Sequence, residues 1–164
     1  MVESSSVYAD VGSDGNGKLR LRIFVQALDL LSGGRRPHMF RWIIAGKLAG
    51  GHRPRATRQR LGQVSKASVD AWLKKAQVDF SIRSIICLMD GEELLRYQAL
   101  SEDLLSYYRK HGFSVAHIPA ANHLRPRISK SNLKKVWKAY KRLSKPVLVH
   151  CSIAAPVSAA LEPQ

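Results

Sequence analysis

From Phe40 onward, apolar positions alternate between short continuous runs and helical stripes. Arg41-Trp42-Ile43-Ile44-Ala45 predicts a strand running into a glycine-rich turn, Gly46 to Gly51, and a basic loop then extends from Arg53 to Arg60. Ser65 or Ser68 can cap a helix whose Val69, Trp72, Leu73 and Ala76 recur on one face, the spacing needed to bury a single stripe. Ser84-Ile85-Ile86-Cys87-Leu88-Met89 is continuously apolar after its serine, as expected for a strand buried on both faces. Leu94, Leu95, Leu104, Leu105 and Tyr108 predict a long helix or a helix pair that stops at Gly112. Phe113 to Ile118 reads as a third strand. Leu133, Val136, Trp137, Tyr140 and Leu143 mark an amphipathic helix, and Pro146-Val147-Leu148-Val149-His150 a final buried strand.

Strands and helices in this alternation predict an α/β domain, a mostly parallel sheet flanked by helices. In such sheets ligands bind at the carboxyl ends of the strands, and the last strand ends at His150-Cys151. Residues 1–36 differ in character. Ser4-Ser5-Ser6 and Gly12-Ser13-Asp14-Gly15-Asn16-Gly17 are turn chemistry, and Lys18 to Leu31 holds one apolar stretch before Gly33-Gly34. The expected organisation is a flexible extension over 1–36 and one domain over 37–164.

Composition narrows the setting. At 164 residues and 45% hydrophobic, the chain can bury one core but not two. No apolar run approaches the roughly 20 residues of a membrane span, and Met1 to Asp10 lacks the features of a signal peptide. Two cysteines, Cys87 and Cys151, suit a reducing compartment and are too few for a metal cluster or disulfide framework. A soluble cytoplasmic protein with no metal and no cofactor is expected. Lys plus Arg number 27 against 12 acids, a formal charge of +15. Such a field favours anionic partners without choosing among them. Arg53, Arg55, Arg58, Arg60 and the lysines of 130–145 come with no nucleic-acid reader motif, so nucleic acid is not the expected partner.

Cys151 is the candidate centre of chemistry. A cysteine directly after a buried strand can receive converging backbone N–H groups from the loop and helix that follow, which favours the reactive thiolate and any bound phosphate. A bare His-Cys pair is more often structural, and Cys87, inside a predicted strand, is taken as structural.

Val147-Leu148-Val149-His150-Cys151-Ser152 resembles the opening of the tyrosine phosphatase signature, His-Cys-x5-Arg-Ser/Thr. About 30 residues upstream, Ile118-Pro119-Ala120-Ala121-Asn122-His123 is similar to the loop bearing that family's general acid, commonly Ile-Pro-x-x-Asp. Phe40 to Gly50, with Pro54 beyond, is similar to the first strand and turn of small dual-specificity phosphatases. By this resemblance the chain is identified as a member of the cysteine-dependent protein tyrosine and dual-specificity phosphatases. The resemblance implies hydrolysis of a phosphorylated protein or other phosphate monoester through a phosphocysteine. It makes Cys151 the nucleophile, with His150 orienting the loop and Asn122 at the acid position. Ser152, Ile153, Ala154 and Ala155 would supply the substrate-binding loop.

Two positions depart from the pattern. Asn122 carries an amide, which cannot protonate a leaving group as an acid does; His123 beside it is one replacement, and a shifted alignment of the loop is another. Six residues after Cys151, where the family has its phosphate-gripping arginine, stands Val157, and Pro156 removes a backbone N–H from the loop. The chain ends at Gln164, so the helices that follow the loop in the family are expected to be missing. Arg-Thr-Gly encoded as CGC ACC GGT and read one base late becomes Ala-Pro-Val, the residues at Ala155-Pro156-Val157. A frameshift is one expectation and a divergent pseudophosphatase that binds phosphorylated partners is the other. Sequencing the gene separates them: on the first, a shifted frame downstream of the Cys151 codon opens into Asp-Arg-Thr-Gly-like sequence, and its absence there leaves only the second.

Overall fold

Phe40–Ile44 (β1) and Leu48–His52 (β2) pair antiparallel across a turn at 45–47. Gly46 takes φ +70° there, a left-handed conformation that costs a residue with a Cβ about 1 kcal/mol or more. Lys47 N–H donates to the Ile44 carbonyl at 3.0 Å and closes the turn. The expected turn over 46–51 is thereby corrected to a turn and a strand. Gly50 and Gly51 lower strand propensity, but tertiary pairing on both sides overrides it. The computed structural model describes residues 40–55, 62–120 and 130–151, of Lys130 the backbone alone. The reading of 1–36 lies outside these residues, as do most of the basic loop and everything after Cys151.

Ser65 starts the first helix, Lys66–Val78 (α1), its Oγ accepting from the Ser68 N–H at 3.2 Å. Of the two candidate serines it is therefore Ser65 that caps. Val69, Trp72, Leu73 and Ala76 are buried, as the stripe predicts. Ser84–Cys87 (β3) is buried throughout. Leu88 and Met89 leave the strand but stay buried, and the Leu88 N–H donates to the His150 carbonyl at 2.9 Å.

The anticipated long helix or pair resolves into Gly91–Leu94 (α2), a 3₁₀ turn at Leu95–Tyr97, and Leu104–Lys110 (α3). Two aspartates explain the break. Asp90 forms a capping box with Glu93, and Asp103 accepts from the Ser106 N–H at 2.9 Å, so each begins a separate helix. Gly112, at φ +92°, turns the chain into Ser114–His117 (β4). Lys130–Arg142 (α4) and Val147–Cys151 (β5) complete the described elements.

The sheet order is β1-β2-β5-β3-β4. β2, β5, β3 and β4 run parallel and only β1 is antiparallel, which agrees with a mostly parallel α/β sheet. One core joins Leu148 and Cys87 to α1 and α3, with Trp72, Leu104 and Tyr108 at its centre. The other joins Leu48, Ile86, Val147 and Val149 to Leu133, Val136 and Tyr140 of α4. Helices thus cover both faces. Among the described residues no helix is long and apolar enough to cross a membrane.

Trp72 ties the first core together. It is 1% exposed, meets Phe40 edge-on at 5.1 Å, stacks on Tyr108 at 5.5 Å, and donates its indole N–H to the His52 carbonyl at 3.0 Å. Trp72→Ala is expected to lower unfolding free energy by about 3–5 kcal/mol in urea denaturation, with the slope against urea unchanged.

Candidate active site

β5 lies between β2 and β3, and the row across its end is set by register. Gly51, His150, Cys87 and His117 stand opposite one another, and His52 pairs with Cys151 one step further. Alternation along β5 separates the two candidate residues. His150 points into the core beneath α1 and α3, whereas Cys151, half-buried, packs with the core beneath α4.

His150 is 1% exposed. Its Nε2 lies 3.0 Å from the Tyr108 hydroxyl, and Trp72 and Tyr108 both meet the ring edge-on. Burial pushes the imidazole down to about 3, and the charges of His117 and Arg53 push the same way. The nearby Cys151 backbone opposes part of this, although Nδ1 finds no partner in hydrogen-bond geometry. Burial likewise holds the Tyr108 phenol well above its ordinary range. The pair is thus a neutral imidazole against a neutral phenol, which fixes the ring directly before Cys151. Such a ring anchors backbone; it does not carry a proton to solvent at neutral pH.

A second polar group meets the first at the end of β2. His52 and Arg53 are buried, at 7% and 1% exposure. The Arg53 Nη1 donates to the Tyr97 hydroxyl at 3.3 Å, and Tyr97 donates in turn to the Pro54 carbonyl at 2.8 Å. Burial lowers the His52 pKa, assisted by the charge of Arg55. Arg53, expected in a solvated basic loop, is instead an interior cation. His117 closes the other side, its Nε2 2.6 Å from the Met89 carbonyl.

Neither Cys87 nor Cys151 is in a disulfide. Burial pushes the Cys87 thiol up to about 12, so it stays protonated and unreactive. Cys151 is the accessible one of the pair. Asn122, His123, Ser152, Ile153, Ala154 and Ala155 lie outside the described residues. Among the described residues no group of three or more His, Cys, Asp or Glu side chains could hold a metal ion. Tyr108 and Arg53 were the residues missed by pattern. Tyr108 shares its stripe with Leu104 and looks like core, and Arg53 is hidden among other arginines. Compared with models of known protein families and with curated proteins, the chain matches none.

The His150 shift gives a signed pH dependence. The unfolded ring takes up a proton near 6.5 and the folded ring only near about 3, so the unfolded state binds more protons between them. Stability is full above 6.5 and falls toward about 3, at up to about 1.4 kcal/mol per pH unit from this group. Urea midpoints at pH 7, 6 and 5 should decline accordingly. The decline should be shallower by about one proton in His150→Phe.

Proposed function

We propose that this chain carries the phosphocysteine chemistry of the tyrosine and dual-specificity phosphatases, at a reduced rate. The observation supporting this is the position of Cys151: a half-buried thiol, not in a disulfide, at the carboxyl end of the central parallel strand, directly after a buried neutral histidine. Strand ends in such sheets are where ligands bind. That neither cysteine is in a disulfide suits a reducing, cytoplasmic setting.

In this reading the Cys151 thiolate attacks the phosphorus of a phosphate monoester, forming S–P as the ester P–O bond breaks. The leaving alkoxide or phenoxide must then gain a proton. Asn122 cannot supply one, and a missing general acid costs about 10²–10⁴-fold for poor leaving groups. Water next cleaves the S–P bond, releasing inorganic phosphate and regenerating the thiolate. The residues over 152–155 would present backbone N–H groups to the phosphoryl oxygens. Val157 replaces the arginine that would grip two of those oxygens, and this specific loss favours a second reading, a pseudophosphatase that binds phosphorylated partners without turnover.

p-Nitrophenyl phosphate tests the reading, because its leaving group departs almost without protonation. Slow hydrolysis abolished by Cys151→Ser is the expected result. Asn122→Asp should accelerate phenyl phosphate by about 10²-fold or more and leave p-nitrophenyl phosphate nearly unchanged. Phosphate binding with no hydrolysis of either ester would instead establish the pseudophosphatase.

A further inference from the structure

We propose that the outer face of α4 is a docking surface for the phosphate backbone of a nucleic acid strand, bound without regard to base sequence. The inference stands apart from Cys151 and from the phosphatase reading. It rests on how charge is divided between the helices on the two faces of the sheet.

The stretch 62–111 carries α1, α2 and α3. It holds seven Lys and Arg against seven Asp and Glu, so the layer is balanced. Three of its cations are paired: Lys66 with Asp70 at 2.7 Å, Lys75 with Asp79 at 3.2 Å and Lys110 with Glu102 at 3.4 Å. The opposite face is covered by α4, which has no acid at all; after Asp103 the chain has none before Glu162. Lys134, Lys135, Lys138, Lys141 and Arg142 are all exposed. A helix on this sheet stays solvated with mixed charges, as α1 does, so solubility does not require a row of one sign. The row also opposes the helix that bears it. Lys134 with Lys138, and Lys138 with Arg142, are like charges at a spacing of four, which destabilises a helix. A bound polyanion would relieve that repulsion.

The surface itself selects among polyanions. Protein interfaces draw their affinity from buried aromatic and apolar anchors and are poor in lysine. The apolar residues of α4, Leu133, Val136, Ala139 and Tyr140, are already packed on the sheet, so the outer face has no such anchor to offer. A bilayer would likewise find no apolar side chain to take up. The ridge from Lys134 to Arg142 is about 12 Å long and one helix wide, and a plane meets it only along its crest. A nucleic acid strand is linear, and lysines contact its phosphates as point charges. Its affinity comes from phosphate neutralisation and release of counterions, with no apolar anchor needed. The missing reader motif removes base selection, which phosphate contacts do not supply in any case.

The test titrates the full chain into a fluorescein-labelled single-stranded RNA of mixed sequence and reads anisotropy over a range of salt. The unaltered chain should bind, with affinity falling steeply as salt rises, and a second sequence of the same length should bind within about threefold. The triple variant Lys134→Gln, Lys138→Gln, Lys141→Gln should weaken binding at least tenfold and lower the salt slope by about 2. Lys74→Gln, Arg83→Gln, Arg109→Gln removes the same charge elsewhere and should cost less than about threefold. Circular dichroism and thermal unfolding establish which variants fold. If the α4 triple does not, Lys134→Gln and Lys138→Gln singly should each lower the slope by about 0.7, and Lys74→Gln should not. No binding by the unaltered chain, or equal losses in the two triples, overturns the proposal. Polyglutamate competing as well as unlabelled RNA of equal length overturns it in favour of acidic protein. Capture by phosphatidylserine vesicles that depends on α4, without RNA binding, overturns it in favour of a membrane.

Discussion

The insertion of β5 between β2 and β3 is the constraint on which the other features depend. β5 is the last described strand in sequence, yet it carries parallel ladders on both sides. It joins the β1–β2 hairpin to the β3–β4 pair, which otherwise share no ladder. A strand in that position must be apolar on both faces, and Val147, Leu148 and Val149 are. The same insertion carries His150 into the interior and leaves Cys151 at the rim.

Placing imidazole and guanidinium inside a small core is costly, and the surroundings show how the cost is limited. His150 is kept uncharged and given a phenol partner. Arg53 keeps a hydroxyl within reach, and Trp72 holds the His52 carbonyl with its only polar atom. These bonds link α1, the 3₁₀ turn and α3 to the ends of β2 and β5. Packing and polar satisfaction thus act on the same few side chains, a coupling that favours one arrangement of the strand ends over others.

The large positive charge of the chain plays a different part. On α4 the side chains of Lys134, Lys135, Lys138, Lys141 and Arg142 are exposed, while Leu133, Val136, Ala139 and Tyr140 pack on the sheet. That division is what an amphipathic helix needs in order to stay in solution, and screening limits its reach to about 10 Å. Surface charge of this sort attracts anions in general.

Much of the frame was legible in the residues alone. The continuous apolar runs at β3 and β5 and the stripe on α1 determined strand, helix and buried face, because side-chain period dictates which positions can leave water together. Gly112 determined a helix end, and the aspartates at 90 and 103 held the capping information that divides the α2–α3 region. The His150-Cys151 pair at a strand end likewise marked the candidate site. Local pattern could not decide the rest. Gly50 and Gly51 read as turn until β1 and β5 enclose them, and Arg53 reads as solvated until β2 and the Tyr97 hydroxyl surround it. Tyr108 lies 42 positions from the imidazole it meets, so no spacing rule connects them. Burial and partner identity depend on residues brought together only by the sheet, and for that reason the tertiary structure alone decided which arginine is buried and which histidine pairs with Cys151 across the ladder.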